Sequence, residues 1–104
     1  MKVSIPLHLL DQLIEDCRSY WKNGFYVEDK EILNEALDHI NKTRKKIDEA
    51  CPKVEYGVSF ILFQVISVAM QRFGAELPEA DIHSIVYKFG FDIDCPVGCS
   101  NANS

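Results

Sequence analysis

The stretch YGVSFILFQVISVAMQRF, residues 56–73, is the most apolar part of the chain and decides its fold. Its main apolar run covers residues 58–70 and already contains the polar Gln64. That run is shorter than the roughly 20 apolar residues that a membrane-spanning helix needs, and it has the length of a buried core helix. We therefore predict a buried helix over residues 53–73 in a protein that has no contact with a membrane.

Three further segments have the apolar period of amphipathic helices. The first covers residues 7–23, and the proline before it and the Asn23-Gly24 pair after it suit the two ends of a helix. The second is predicted to begin at Glu28 or Asp29, because acidic side chains favour a helix N-terminus, and to end near Pro52. The last covers residues 78–89 and carries Ile82, Ile85, Val86 and Phe89 on one face.

These patterns predict an all-α fold, a small bundle of about four helices with a short irregular C-terminal tail. A chain of 104 residues fits a single domain. We assign residues 1–91 to the helical bundle and residues 92–104 to a tail that is first acidic and then polar. The other three helices are expected to cover the apolar third helix. A stripe that they leave open would bind a partner protein, or a second copy of the chain in a homodimer.

The four cysteines fall into two pairs with different settings. Cys17 and Cys51 lie on or beside apolar helical faces, where cysteine typically serves as a small buried apolar residue. Cys95 and Cys99 lie in the tail, where they could be reduced thiols, a disulfide or redox pair, or part of a zinc site with His83. Zinc sites more often have two residues between their cysteines, and no second local pair is present. We predict no metal and no cofactor, with this metal or redox module as an alternative.

No enzyme motif occurs in the chain: it lacks a glycine-rich phosphate loop, a His-Glu-x-x-His sequence and a Gly-x-Ser-x-Gly sequence. Glu79 and His83 are four residues apart on a predicted helix, as are Glu35 and His39. We interpret both pairs as ion pairs on the solvent side. The sequence therefore predicts a protein without catalytic activity.

A basic cluster within residues 42–46 raises nucleic-acid binding as a second alternative. The formal net charge of -5 argues against it, and so do the acidic Asp48 and Glu49 that follow directly. The C-terminal part of a helix also favours positive charge without any ligand. We expect a solvated helix face here and keep a nucleic-acid-binding regulator as the alternative, with these basic side chains as its contacts: Lys42, Arg44, Lys45 and Lys46.

Acidic residues concentrate at the C-terminal end of the chain. Residues 1–73 carry 10 basic and 11 acidic side chains, whereas residues 74–104 carry one basic and five acidic ones, and the balances of -1 and -4 give the total of -5. In residues 91–94, Phe91 and Ile93 alternate with Asp92 and Asp94. This segment could dock on a partner as an added strand or as an acidic anchor for a basic surface. Alternatively, its two apolar residues pack the tail onto the bundle.

Phe25 and Tyr26 lie between the first two predicted helices. Aromatic residues such as Trp and Tyr are enriched in binding hot spots. Together with Phe91, Asp92, Ile93 and Asp94 they form the predicted partner-binding set. We predict a small non-catalytic protein-interaction module in the cytoplasm, since the N-terminal residues lack the apolar core of a signal peptide. It would act as an adaptor, an immunity-type factor, or an inhibitor or regulator of a larger host protein. Such small accessory proteins are often encoded by phages or mobile elements.

Overall fold

A computed structural model of the protein describes residues 3–23, 30–51 and 57–94. Four helices make up most of the described chain, which confirms the predicted all-α class and four-helix bundle. The elements are, in chain order, strand β1 (Val3–Pro6), helix α1 (Leu7–Asn23), helix α2 (Lys30–Ala50), helix α3 (Val58–Phe73), helix α4 (Glu79–Lys88) and strand β2 (Phe91–Asp94).

The two short strands form a parallel pair, with Val3 opposite Phe91 and Ile5 opposite Ile93. Parallel neighbours need a long crossover connection, and the four helices supply it here. Residues 92–94, which the sequence analysis placed at the start of the tail, therefore belong to a strand that pairs with the N-terminal end of the described chain. Residues 95–104 lie outside the described residues.

The helix boundaries agree with the sequence at some ends and differ at others. Helix α4 lies within the predicted 78–89, and Pro78 and Phe89 are its caps. Helix α3 begins at Val58 and not at residue 53, so the predicted start is wrong. Gly57 has a φ angle of 79°, which an α-helix excludes and which glycine adopts without a steric penalty. The predicted start of α2 at Glu28 or Asp29 lies outside the described residues.

A single core joins the helices and both strands. Helix α1 packs against β1 and against each of the other three helices. Cys17 and Cys51 are buried free thiols within this core, as predicted. The largest fully buried side chains are Ile5, Leu10, Leu13, Ile14, Ile40, Ile47, Leu62, Ile66 and Ile82.

Helix α3 packs against α1, α2 and α4, as predicted, but these neighbours do not enclose it. Phe60, Val68 and Phe73 are exposed, so the three helices cover most of α3 and leave part of its apolar surface open to solvent. In a bundle of four helices each member keeps a side that no neighbour reaches, however apolar its sequence is. No helix in the described part of the chain is both long and apolar enough to span a membrane.

Candidate binding surface

The N-terminus of α3 is closed by a side chain from α2. Gly57, the residue before the helix, has no side chain that could accept the first free N–H groups. Asp48 takes this role: its Oδ1 accepts the Ser59 backbone N–H at 3.0 Å, and its Oδ2 accepts the Ser59 hydroxyl at 2.7 Å. The carboxylate also suits the positive end of the helix dipole. This contact fixes α2 against the start of α3.

Arg44 extends the same α2–α3 junction. Its Nε donates to the Ser59 hydroxyl oxygen at 3.3 Å. Its guanidinium carbon lies 5.9 Å from the centre of the Phe60 ring and 5.8 Å from that of Phe63, within range of a cation–π contact. Arg44 therefore binds side chains of α3, a structural role that was not predicted from the sequence.

The contact between α1 and α2 contains a buried polar cluster beside buried apolar side chains. Asp16 is buried; it accepts the Thr43 hydroxyl at 2.6 Å and the Gln12 side-chain N–H at 2.9 Å. Burial raises the pKa of the neighbouring Cys17 thiol to about 12, and the charge of Asp16 adds to this effect. Burial, with the charge of Asp48, also raises the pKa of Cys51. In the described ranges, no buried side-chain nitrogen or oxygen lacks a hydrogen-bond partner.

An apolar groove runs along the surface between α3 and α4, and we call it the α3–α4 groove. Its volume is about 360 Å³. Buried Val65 and Ala69 lie at its base, whereas Val68 is 49% exposed, Phe73 65% and Phe89 64%. Most of its lining is therefore hydrophobic and much of that lining is open to solvent. The groove is lined by Gln64, Val65, Val68, Ala69, Arg72, Phe73, Ile85 and Phe89.

Helix α1 holds the turn that connects the two walls of this groove. Arg18 Nη1 donates to the backbone carbonyls of Ala75, at 3.0 Å, and of Leu77, at 3.1 Å. The Lys22 ammonium lies 2.7 Å from a carboxylate oxygen of Glu76, and this hydrogen bond lowers the pKa of Glu76. These contacts anchor residues 75–77 to α1, so the relative position of α3 and α4 is set from outside the groove.

Sequence reasoning missed the two phenylalanines of the groove. Phe89 was assigned to the apolar face of the last helix with Ile82 and Val86, but in the structure those two are buried and Phe89 is exposed. Phe73 was not singled out. Phe73 directly precedes Gly74, the C-cap of α3, and Phe89 is itself the C-cap of α4 and directly precedes Gly90. A large apolar side chain in that position, beyond the last residues that a neighbouring helix covers, was the available signal.

The predicted partner-binding residues are divided between described and other segments. Phe25 and Tyr26 lie outside the described residues. Strand β2 brings Phe91 to Asp94 together, but Phe91 is only 7% exposed and belongs to the core, and Ile93 packs against it. Contacts of this strand with a partner would thus come from Asp92 and Asp94. The partner-binding role of the segment stays a prediction.

Of the residues of the metal alternative, the structure describes only His83. His83 Nε2 lies 2.7 Å from Oδ1 of Asp11 on α1, so the charged neighbour that the structure gives it is Asp11 and not the predicted Glu79. Cys95 and Cys99 lie outside the described residues. Across residues 3–23, 30–51 and 57–94, no three potential metal ligands of the His, Cys, Asp or Glu type converge. The metal or redox module remains an untested alternative.

The basic cluster of α2 has only three side chains directed to solvent. Lys42, Lys45 and Lys46 are exposed, whereas Arg44 is turned towards α3. A cleft of about 600 Å³ beside them is lined by anionic as well as cationic groups. Its mixed charge does not resemble the uniformly basic surface that phosphates favour. The lining residues are Asn41, Arg44, Lys45, Asp48, Glu49 and Cys51.

Comparisons of the chain with known protein families, with curated proteins and with solved structures find no match. The structure by itself defines the class of the protein: a small four-helix bundle with a parallel strand pair and an open apolar groove between α3 and α4.

Proposed function

We propose that the protein is a non-catalytic interaction module that binds an amphipathic helix of a larger protein in the α3–α4 groove. The observation that carries this proposal is the exposure of Phe73 and Phe89 on either side of an apolar base. Burying one such side chain contributes about 1.5–3 kcal/mol. Exposed apolar surface gathered in a groove is a common property of protein-binding sites.

The walls of the groove favour a helical ligand over an extended one. Both walls are helices, and neither strand of the pair contributes to the lining. An extended peptide would place backbone N–H and C=O groups against apolar side chains, where they lack partners. A helix satisfies these groups internally and can insert apolar side chains that recur every three or four residues.

The length of the groove sets the size of the contact. Its lining on α3 runs from Gln64 to Phe73, which corresponds to about 14 Å at a rise of about 1.5 Å per residue. A bound helix would therefore contribute two to three turns and about three apolar side chains. Contacts of this extent suit a module that occupies a surface on a larger cytoplasmic protein, as an adaptor, an immunity-type factor or an inhibitor.

The test is a peptide selection on immobilised protein, using a displayed library of about 16-residue peptides that can form roughly four helical turns. The wild type is compared with a Phe73→Ser, Phe89→Ser double variant. Tyr87→Ser is the matched control, because Tyr87 is an exposed aromatic residue of α4 that does not line the groove. Circular dichroism and thermal unfolding of all three proteins verify that each one is folded.

We expect the wild type and the control to enrich peptides with a helical apolar period. The double variant should bind the same peptides at least about tenfold more weakly, because losing about 1.4 kcal/mol of binding free energy already has that effect. Failure of the wild type to enrich any helical peptide would refute the proposal. Equal binding by the folded double variant would do so as well.

A further inference from the structure

Arg72 is the one charged residue among the described residues that line the α3–α4 groove. No carboxylate in the described part of the chain forms an ion pair with it. This is notable in a protein with 16 acidic and 11 basic residues. The segment that follows, residues 74–104, is the most acidic part of the chain, yet none of its described carboxylates forms an ion pair with Arg72.

The position of Arg72 gives the groove a polarity along its length. Gln64, Val68 and Arg72 are four residues apart in succession, so they form one row along α3. The row is polar and neutral at one end, apolar in the middle and cationic at the other, over about 12 Å. A helix bound in the groove would therefore meet a fixed positive charge at one end of its apolar face.

A bound helix would also change the surroundings of that charge. It would displace water from Arg72 and its neighbour Phe73, and electrostatic interactions become stronger in such a less polar setting. An arginine covered without a partner is unfavourable, whereas a carboxylate can accept two parallel hydrogen bonds from its guanidinium group. A Lys or Arg on the ligand at this point would be repelled.

We infer that Arg72 determines which helix the groove accepts: the ligand is an amphipathic helix with an Asp or Glu at the end of its apolar face. This inference rests on the proposed function and specifies its partner. A second copy of the chain is a poorer ligand, because two molecules with a net charge of -5 repel each other.

The test repeats the library selection on Arg72→Gln and Arg72→Glu variants. Lys88→Glu is the matched control, since it makes the same charge change at an exposed cation of α4 outside the groove lining.

Peptides selected on the wild type should share an acidic residue at one fixed place relative to their apolar positions. They should bind Arg72→Glu at least about tenfold more weakly, as expected for loss of a charge-assisted hydrogen bond, and bind Lys88→Glu nearly as well as the wild type. Selection on Arg72→Glu should yield Lys or Arg at that place.

The outcomes separate this inference from the proposed function. Helical peptides that lack a shared acidic position, or that bind Arg72→Glu as well as the wild type, would overturn the role of Arg72 and leave the groove as a helix-binding site. If the library yields no helical peptide, the proposed function itself fails. Sedimentation of the wild type adds a third result: a dimer that the Phe73→Ser, Phe89→Ser variant abolishes would assign the groove to a second copy and overturn both.

Discussion

Two sides of α3 differ in what covers them. The core side, which includes Leu62 and Ile66, is fully buried in the cluster that joins the helices, and Asp48 closes the start of the helix. The open side, the row of Gln64, Val68 and Arg72, borders the α3–α4 groove and is exposed to solvent. The comparison indicates that α3 carries more apolar surface than the bundle buries, and that part of this surplus, Val68 and Phe73, lies along the groove.

The largest expected difference between the two sides is in packing. Leu62→Ala should lower the free energy of unfolding by about 2–5 kcal/mol, because it leaves a cavity in a fully buried region. Val68→Ala, on the open side of the same helix, should lower it by less than about 0.5 kcal/mol. Urea unfolding of the two variants and the wild type measures both values. A Val68→Ala cost as large as that of Leu62→Ala would show that the open side is covered in solution.

The junction between α2 and α3 should give the next largest effect. Asp48→Ala removes the capping oxygens from Ser59 and should cost about 1–2 kcal/mol of unfolding free energy. Asp48→Asn should cost less, since its amide oxygen still accepts the backbone N–H. Glu49→Ala is the matched control at an adjacent exposed acid, and equal costs for Asp48→Ala and Glu49→Ala in urea unfolding would contradict the capping role.

The burial of the Cys17 thiol predicts a smaller effect on stability, and one that depends on pH. The pKa of Cys17 rises from its ordinary 9.0 to about 12 on folding, so the folded state keeps its proton when the unfolded state has lost it. Stability from this group is complete below pH 9 and is lost as the pH rises towards 12. Through Cys17 alone, the wild type should lose about 1 kcal/mol between pH 9 and pH 10.

The measurement for Cys17 is the difference in pH dependence between the wild type and Cys17→Ala. All other titratable groups are the same in both proteins, so their contributions to the pH dependence cancel in the comparison. Urea unfolding at pH 8, 9 and 10 supplies the data. Parallel curves would mean that water reaches Cys17 in the folded protein.

Local patterns predicted the elements that depend on local spacing. The periods around α1 and α4 gave helices close to the observed ones, and the apolar settings of Cys17 and Cys51 predicted their burial correctly. The pairing of β1 with β2, by contrast, joins segments at opposite ends of the described chain. Hydrophobic period carries no information on such a contact, so the alternation of Phe91 and Ile93 was compatible with a partner surface as well as with the core.

The candidate site was predicted only in outline. An open stripe on the third helix was expected as a partner surface, but its walls were not, because exposure of Phe73 and Phe89 depends on where α4 ends and how Arg18 anchors the turn before it. The same holds for His83, whose neighbour Asp11 is distant in the sequence. The binding roles predicted for Phe25, Tyr26 and the acidic residues of β2 remain predictions.

The amino-acid sequence by itself determined that this chain forms a small all-α bundle around an unusually apolar helix, because helical period and apolar content are properties of neighbouring residues. Only the tertiary structure decided which side of that helix is covered, that Asp48 caps it, and that an apolar groove with a single arginine stays open. These features depend on the lengths and relative positions of elements distant in the chain, and such distances are not encoded in any local pattern.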